Sequence, residues 1–322
     1  MERREPSVRS LVLDELASER NFVEDDYLSV NLDVADAVAG GQVPSGLWHF
    51  RNFGLGEGRR LRRSSAIDAI RAHKMRKAKG VLKPRVAYER RGLKFDFLTD
   101  ELIRESGIAV TEAVSSNGYD GYVDAMIADF ADGLILDCGA GKRPVYYDNV
   151  LNFEIVDYDT TDVLGVGEAL PFKGNSFDGV ISIAVLEHVR DPFKCASEII
   201  RVLKRGGRLI CCVPFLQPEH GYPHHYYNMA PQGLRALFDR SLAIDDHLVI
   251  DSILPVWSLK WIAQAWAAGL QGQALAAFRA LTMETLIESD VVGLLDAPWV
   301  RGLPVAKNFE LASATLLLAH KE

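Results

Sequence analysis

No stretch of this sequence approaches 18 uncharged apolar residues, so no membrane-spanning helix is expected. The opening MERREPSVRS is charged and is followed by no apolar core, so it does not read as a secretory leader. Cysteine is scarce: the four are Cys138, Cys195, Cys211 and Cys212. None forms a metal-type pair spaced by two residues, and three lie in runs that read as buried strands. They read as reduced core thiols in a cytoplasmic protein. Positive charge is also scarce, except in one place. Arg51 to Lys94 holds 15 of the 36 Lys and Arg and only 3 of the 44 acids, a net +12. The remainder carries 21 bases against 41 acids, a net −20, so the total of −8 hides one basic block in an acidic chain.

What is there is an ordinary globular composition: 322 residues, 48% hydrophobic and 25% charged. The length suits one large domain with additions, or two domains. The division expected is a mostly helical extension over 1–115 and a second domain over 116–322, with a helical lid insertion over about 256–310. Within the extension, Ser10 to Glu19 reads as a short helix, and Ala66 to Lys79 as a helix ended by Gly80 and Pro84. Glu101 to Ser106 and Tyr122 to Phe130 read as two more helices.

The texture then changes. Leu134–Cys138, Phe153–Asp157, Phe177–Ile183 and Gly207–Val213 are short apolar runs that read as strands. Pro192 to Leu203 lies between the third and fourth, with Phe193, Ala196, Ile199, Ile200 and Leu203 on one face. Pro at its start and Gly206-Gly207 after it fit a helix. Alternating strands and helices imply a parallel sheet covered on both faces. Further on, Pro231–Phe238 reads as a helix, Ala243–Ile253 as a strand and Ala312–His320 as a closing strand.

Asp137-Cys-Gly-Ala-Gly141 stands at the end of the first strand, where glycines permit a tight turn and close approach of backbone to a ligand. Asp157, 20 residues on, ends the next strand and can accept both hydroxyls of a ribose. This pair alone also suits a nicotinamide-binding protein. The surrounding words decide: LDCGAG, VDYD, ALPFKGNSFDGVISIAVLEHVRDP, EIIRVLKRGG and VPF occur in order. As a set, from about Tyr119 to Phe238, they resemble the class I S-adenosylmethionine-dependent methyltransferases, in the branch with ubiquinone-biosynthesis-type and small-metabolite enzymes. The resemblance implies an α/β, Rossmann-like seven-stranded sheet whose last strand is antiparallel and inserted between strands five and six, with helices on both faces. It implies S-adenosylmethionine as cofactor. Asp137, Gly139 and Gly141 would line its methionine end, and Asp157 its ribose. Tyr158 would lie against the adenine, with the backbone of Glu168 and Ala169 at the adenine edge. Ala184 and Leu186 would floor the pocket.

There are departures from the pattern. Val166 stands where an acid is usual, and Arg143 where a third glycine is usual. Only 14 residues, Gly139 to Asn152, join the first two strands, so a short crossover helix is expected. Lys142 and Arg143 either pair with the cofactor carboxylate or are solvated loop charges. Glu187-His188 reads as pocket wall rather than chemistry, and Asp178 as structural.

The acceptor side points to Pro214–Tyr227, the loop after the fourth of these runs, since ligands of open α/β sheets sit beyond the carboxyl ends of strands. It holds His220, His224, His225 and Glu219. A hydroxyl acceptor needs a base, and histidine has the pKa for one. His220 is the first choice and His224 the second, while His225 reads as a loop hydrogen-bonder. Glu219, His220 and His224 could hold a divalent metal, which their placement on one loop argues against. Trp257, Trp261 and Trp266 read as packing and lid. The basic block either binds an anionic acceptor or pairs with acidic surface of this chain or a second copy. The second is favoured, because the rest is acidic and no RNA-binding module is recognisable. The expectation is methyl transfer to oxygen on a small or glycan-type metabolite, in natural-product or sugar biosynthesis. The alternatives are N- or RNA methylation, or an inactive cofactor-binding partner subunit; a homo-oligomer is compatible with all of these.

Overall fold

The computed structural model describes residues 9–108, 116–221 and 223–315. Two compact units divide at Val213 and Pro214, so the boundary expected near residue 115 falls inside the first unit. Eleven strands occur among the described residues of the first unit: β1 Ser10–Val12, β2 Asp14–Leu16, β3 Arg60–Arg62, β4 Glu89–Arg91, β5 Lys94–Asp96, β6 Ile135–Cys138, β7 Val145–Tyr147, β8 Val150–Glu154, β9 Val163–Leu164, β10 Phe177–Ile183 and β11 Leu203–Cys212.

Seven of them form one sheet in the order β11-β10-β6-β8-β9-β5-β4. Every neighbour pair is parallel except β4 with β5, which is antiparallel at the edge. The expected seven-stranded, Rossmann-like sheet is present, and its last two members at one edge, β5 and β4, come from the end of the basic block and the residues just after it. Ala243–Ile253 is not a strand: it is irregular and ends in a short 3-10 turn, Asp251–Ile253. Asp245, Asp246 and His247 interrupt its apolar run and are exposed. Of the expected closing strand, residues 312–315 are irregular and 316–320 lie outside the described residues.

Three further readings are corrected. Ser10–Glu19 forms β1 and β2 instead of a helix, because its burial alternates: Leu11 and Leu13 are buried while Val12 and Leu16 are exposed. The second strand ends at Glu154, three residues before Asp157. The crossover between β6 and β8 contains no helix. It contains β7, which pairs antiparallel with β1. Helix Ile67–Val81 packs beside β8, and its Lys74 Nζ donates to the carbonyls of Val150 (2.6 Å) and Tyr147 (3.1 Å).

Helix Gly121–Asp129 buries Val123, Met126 and Ile127 against Ile135, Val150 and Ile181 of the sheet. Its N-terminus is capped by the Asp120 carboxylate, which accepts the N–H groups of Tyr122 and Val123. Helix Pro192–Val202 is capped by Asp191 and buries Cys195, Ala196, Ile199 and Val202.

The second unit has no strand among its described residues and is built from short helices, including Pro231–Phe238, Pro255–Ala268 and Gly272–Ala280. Its core is Leu270, Trp299 and Leu303, with Trp266 and Phe278 against them. The expected tryptophan stripe divides: Trp266 stacks on Phe278 in this core, whereas Trp257 and Trp261 are exposed. No described helix is long and apolar enough to cross a membrane.

Candidate cofactor site

β6 delivers Asp137 and Cys138 to the carboxyl end of the sheet, and the chain then turns through Gly139 (φ 82°) and Gly141 (φ 64°). Both conformations suit glycine. Gly139 has a second reason: a Cβ there would stand 2.4 Å from Val185 Cγ2 in the turn after β10. That contact sets the turn Ala184–His188 directly against the glycine loop.

The first two loop amides are spent on the neighbouring strand. Gly139 N–H and Ala140 N–H both donate to the Phe153 carbonyl, at 2.9 and 3.1 Å. Gly141 N–H donates to Glu154 Oε2 at 2.8 Å, and Ile155 N–H to Oε1 at 2.7 Å. Burial pushes the Glu154 carboxyl up, opposed by these backbone donors. Glu154 therefore stands at the end of the second strand and beside the loop, the place expected for Asp157. Asp157 is exposed and ion-paired to Lys94 (2.5 Å) and Arg91 (3.5 Å). Tyr158 is held by the same lysine, which donates to its carbonyl at 2.7 Å. The apolar run that reads as a strand to Asp157 continues past the last paired residue, Glu154.

Asp137 is fully buried. Its Oδ2 accepts three donors: Tyr119 Oη–H at 2.5 Å, Arg143 Nε–H at 2.9 Å and an Arg143 terminal N–H at 2.8 Å. Its Oδ1 has no hydrogen-bond partner. Burial raises the Tyr119 hydroxyl well above the usual phenol range, so it is a donor here. Arg143 is buried, stacks 4.3 Å above the Tyr119 ring and donates to the Asn117 carbonyl at 3.1 Å. The burial of Arg143 corrects its reading as a solvated loop charge. The Tyr119 contact is not legible in the sequence, because 18 residues separate Tyr119 from Asp137.

The remaining expected residues are distributed around this loop. Gly167 approaches Cys138, since a Cβ on it would lie 2.6 Å from Cys195 Sγ and 3.7 Å from Cys138 Sγ. Glu168, next to it, is buried and accepts Arg190 N–H at 3.1 Å; Ala169 is exposed. Ala184 takes a left-handed φ of 55° and donates its N–H to the Cys212 carbonyl, and Leu186 is buried. Glu187 is also fully buried, and neither of its carboxyl oxygens has a hydrogen-bond partner. Burial pushes its carboxyl up to about 8.

The basic block is largely neutralised within the first unit. Nine of its fifteen cations form ion pairs with described residues: Arg51, Arg59, Arg62, Arg63, Arg71, Lys74, Lys83, Arg91 and Lys94. The deepest set joins Lys74 to Asp162 at 2.6 Å and Arg71 to Asp162 at 3.1 Å. Arg62, buried, pairs with Asp14 and Asp159.

In the second unit, His220 is half-buried. Its backbone N–H donates to His225 Nδ1 at 3.0 Å, and its Nδ1 lies 2.9 Å from the Pro218 carbonyl. That carbonyl requires Nδ1 to carry the proton, which leaves the ring lone pair on Nε2. Burial lowers the His220 pKa below its ordinary 6.5. His225 Nε2 contacts Asn228 Oδ1 at 2.9 Å, the loop-bonding role expected of it. His224 is exposed beside Tyr226. Glu219, His220 and His224 are not gathered into a metal-binding group among the described residues.

Residues 145–211 match a family model described as a methyltransferase domain. Over 136 residues the chain is 32% identical to a demethylmenaquinone methyltransferase of Renibacterium salmoninarum, covering 42% of this chain and 51% of that protein. Over 69 residues it is 39% identical to a ubiquinone/menaquinone biosynthesis C-methyltransferase of Pseudoalteromonas translucida, covering 20% and 27%. A solved structure of a methyltransferase from an antibiotic biosynthesis pathway of Anabaena variabilis is 18% identical, covers 58% of this chain and 90% of that one, and superposes with a TM-score of 0.30. The chain spans about half the length of the curated relatives it matches first.

Proposed function

We propose that this chain, which carries a class I S-adenosylmethionine-dependent methyltransferase domain, transfers a methyl group to a small-molecule acceptor. The observation that carries the donor half is the glycine loop tied to Glu154, together with the buried Oδ1 of Asp137 that has no hydrogen-bond partner. These groups fit S-adenosylmethionine: an acceptor oxygen for its ammonium, an acid for its ribose hydroxyls, and glycines that let backbone approach. When bound, the cofactor supplies a methyl group already activated on a sulfonium.

In this reading Asp137 takes the ammonium and Glu154 replaces Asp157 at the ribose. Gly139 and Gly141 allow the close approach. Glu168 and Ala169 edge the adenine, and Ala184 and Leu186 floor the pocket. Tyr158 supports the adenine from the neighbouring turn.

On the acceptor side, His220 is the base for a hydroxyl, with its lone pair on Nε2 and a neutral ring at pH 7. His224 is the second candidate. The acceptor class favoured is a small or glycan-type hydroxyl compound. A second reading comes from the relatives, whose names describe methyl transfer in menaquinone and ubiquinone synthesis. It makes the acceptor a reduced quinone-like ring methylated on carbon.

Two measurements test this. Calorimetry with S-adenosylmethionine and S-adenosylhomocysteine should show one site per chain. Tritiated methyl groups offered with catechol, 1,4-dihydroxynaphthalene, nucleotide sugars and RNA should label one class, and mass spectrometry should give the bond formed. Cofactor binding with no labelled class would favour an inactive partner subunit. No binding of either cofactor form would sink the proposal.

A further inference from the structure

The hydrogen bonds around Asp137 are lopsided. Three donors converge on Oδ2 and none on Oδ1, although the side chain is fully buried. A buried carboxylate oxygen normally finds a donor. The loop amides cannot provide it: those of Gly139 and Ala140 go to Phe153, and that of Gly141 goes to Glu154. The asymmetry is imposed by Arg143 and Tyr119. Arg143 is itself fixed on three sides, by Asp137, by the Asn117 carbonyl and by the face of Tyr119. Its planar fork holds direction better than a lysine ammonium does.

We infer that Arg143 and Tyr119 are positioning residues of the cofactor site: by occupying Oδ2 of Asp137 they present Oδ1 to a ligand ammonium. The inference rests on the reading that S-adenosylmethionine binds at the glycine loop, and it deepens that reading. Arg143 balances the Asp137 charge, so the ligand that fits adds no net charge of its own at this end. A zwitterionic amino-acid tail meets that condition. The segment Asn117–Tyr119, which precedes the capped helix Gly121–Asp129, thereby becomes part of the cofactor site.

The test is a binding cycle on the full chain, by calorimetry. The two ligands are S-adenosylhomocysteine and 5′-S-(3-carboxypropyl)-5′-thioadenosine, the same molecule without its amino group. The proteins are wild type, Arg143→Met, Arg143→Lys and Tyr119→Phe. In wild type, loss of the amino group should weaken binding roughly tenfold or more, as for a charge-assisted hydrogen bond. In Arg143→Met the same loss should cost less than about threefold, because the two changes are coupled. Arg143→Lys and Tyr119→Phe should fall between. An amino-group penalty equal in wild type and all variants overturns the inference, as does a wild type indifferent to the amino group while binding both ligands. Wild type that binds neither ligand fails the cofactor reading itself. Should Arg143→Met not fold, Tyr119→Phe, which removes only a hydroxyl, decides.

Discussion

The carboxylate of Glu154 accepts the backbone N–H of Gly141 at 2.8 Å, and so ties the end of the second parallel strand to the glycine loop of the first. Asp157, three residues on, has no such link and is ion-paired outward to Lys94 and Arg91. Glu154→Gln should therefore lower S-adenosylhomocysteine affinity about 10- to 100-fold, as expected for losing charged hydrogen bonds worth about 1.5–3 kcal/mol. Asp157→Asn should change it by less than about threefold. Calorimetry on both variants checks this, and the opposite ranking would restore Asp157 as the ribose acid.

Gly139 combines a left-handed φ with the Val185 contact at 2.4 Å. A left-handed conformation costs a non-glycine residue about 1–2 kcal/mol before any clash. Gly139→Ala should lose cofactor binding and lower the melting temperature, both visible in a thermal shift assay with and without ligand. Wild-type stabilisation by ligand in that variant would count against the loop assignment.

Asp162 holds two buried cations, Lys74 and Arg71, and accepts the Tyr146 hydroxyl and the Asn152 N–H as well. Removing one member of such a set leaves uncompensated buried charge, at a cost of about 3–5 kcal/mol. Asp162→Ala should show that loss in urea unfolding and expose helix Ile67–Val81 to proteolysis. A variant within about 1 kcal/mol of wild type would mean the ion pairs do not anchor the helix.

Glu187 offers a pH test with a definite sign. Burial raises its carboxyl from 4.5 to about 8, so between those values the native state binds more protons than the unfolded chain. Its contribution is present in full below pH 4.5 and is lost as pH rises through about 8. Wild type should lose stability to Glu187→Gln over that window, by a few kcal/mol in all. Parallel stability curves for the two proteins would show that Glu187 titrates normally.

His220 supplies the last prediction. With its pKa below 6.5, methyl transfer to a hydroxyl acceptor should rise with pH through that lowered value and be level at pH 7. His220→Ala should cost about 10²- to 10⁴-fold in kcat, the usual worth of a general base, and leave cofactor affinity intact. Methyl transfer that survives the substitution would remove His220 as base and leave His224 to be tried.

The glycine loop, the four parallel strands around it and the helices Gly121–Asp129 and Pro192–Val202 are legible in the residues read in order, because turn chemistry and periodicity are local. Pro231–Phe238 and Phe177–Ile183 have the ends expected of them. Tertiary structure decided the rest through pairing at long range. The edge of the sheet is completed by β4 and β5, whose short polar sequences carry no strong strand signal. The same pairing places Lys94 against Asp157 and leaves Glu154 at the loop. The charge asymmetry of the sequence resolves in the same way: most of the basic block faces acids of its own unit. Helix Ile67–Val81 packs beside β8, where a crossover of 14 residues has no room for a helix of its own. No reading of residues in order could have shown that Asp162 and Lys74, 88 positions apart, would meet in the core.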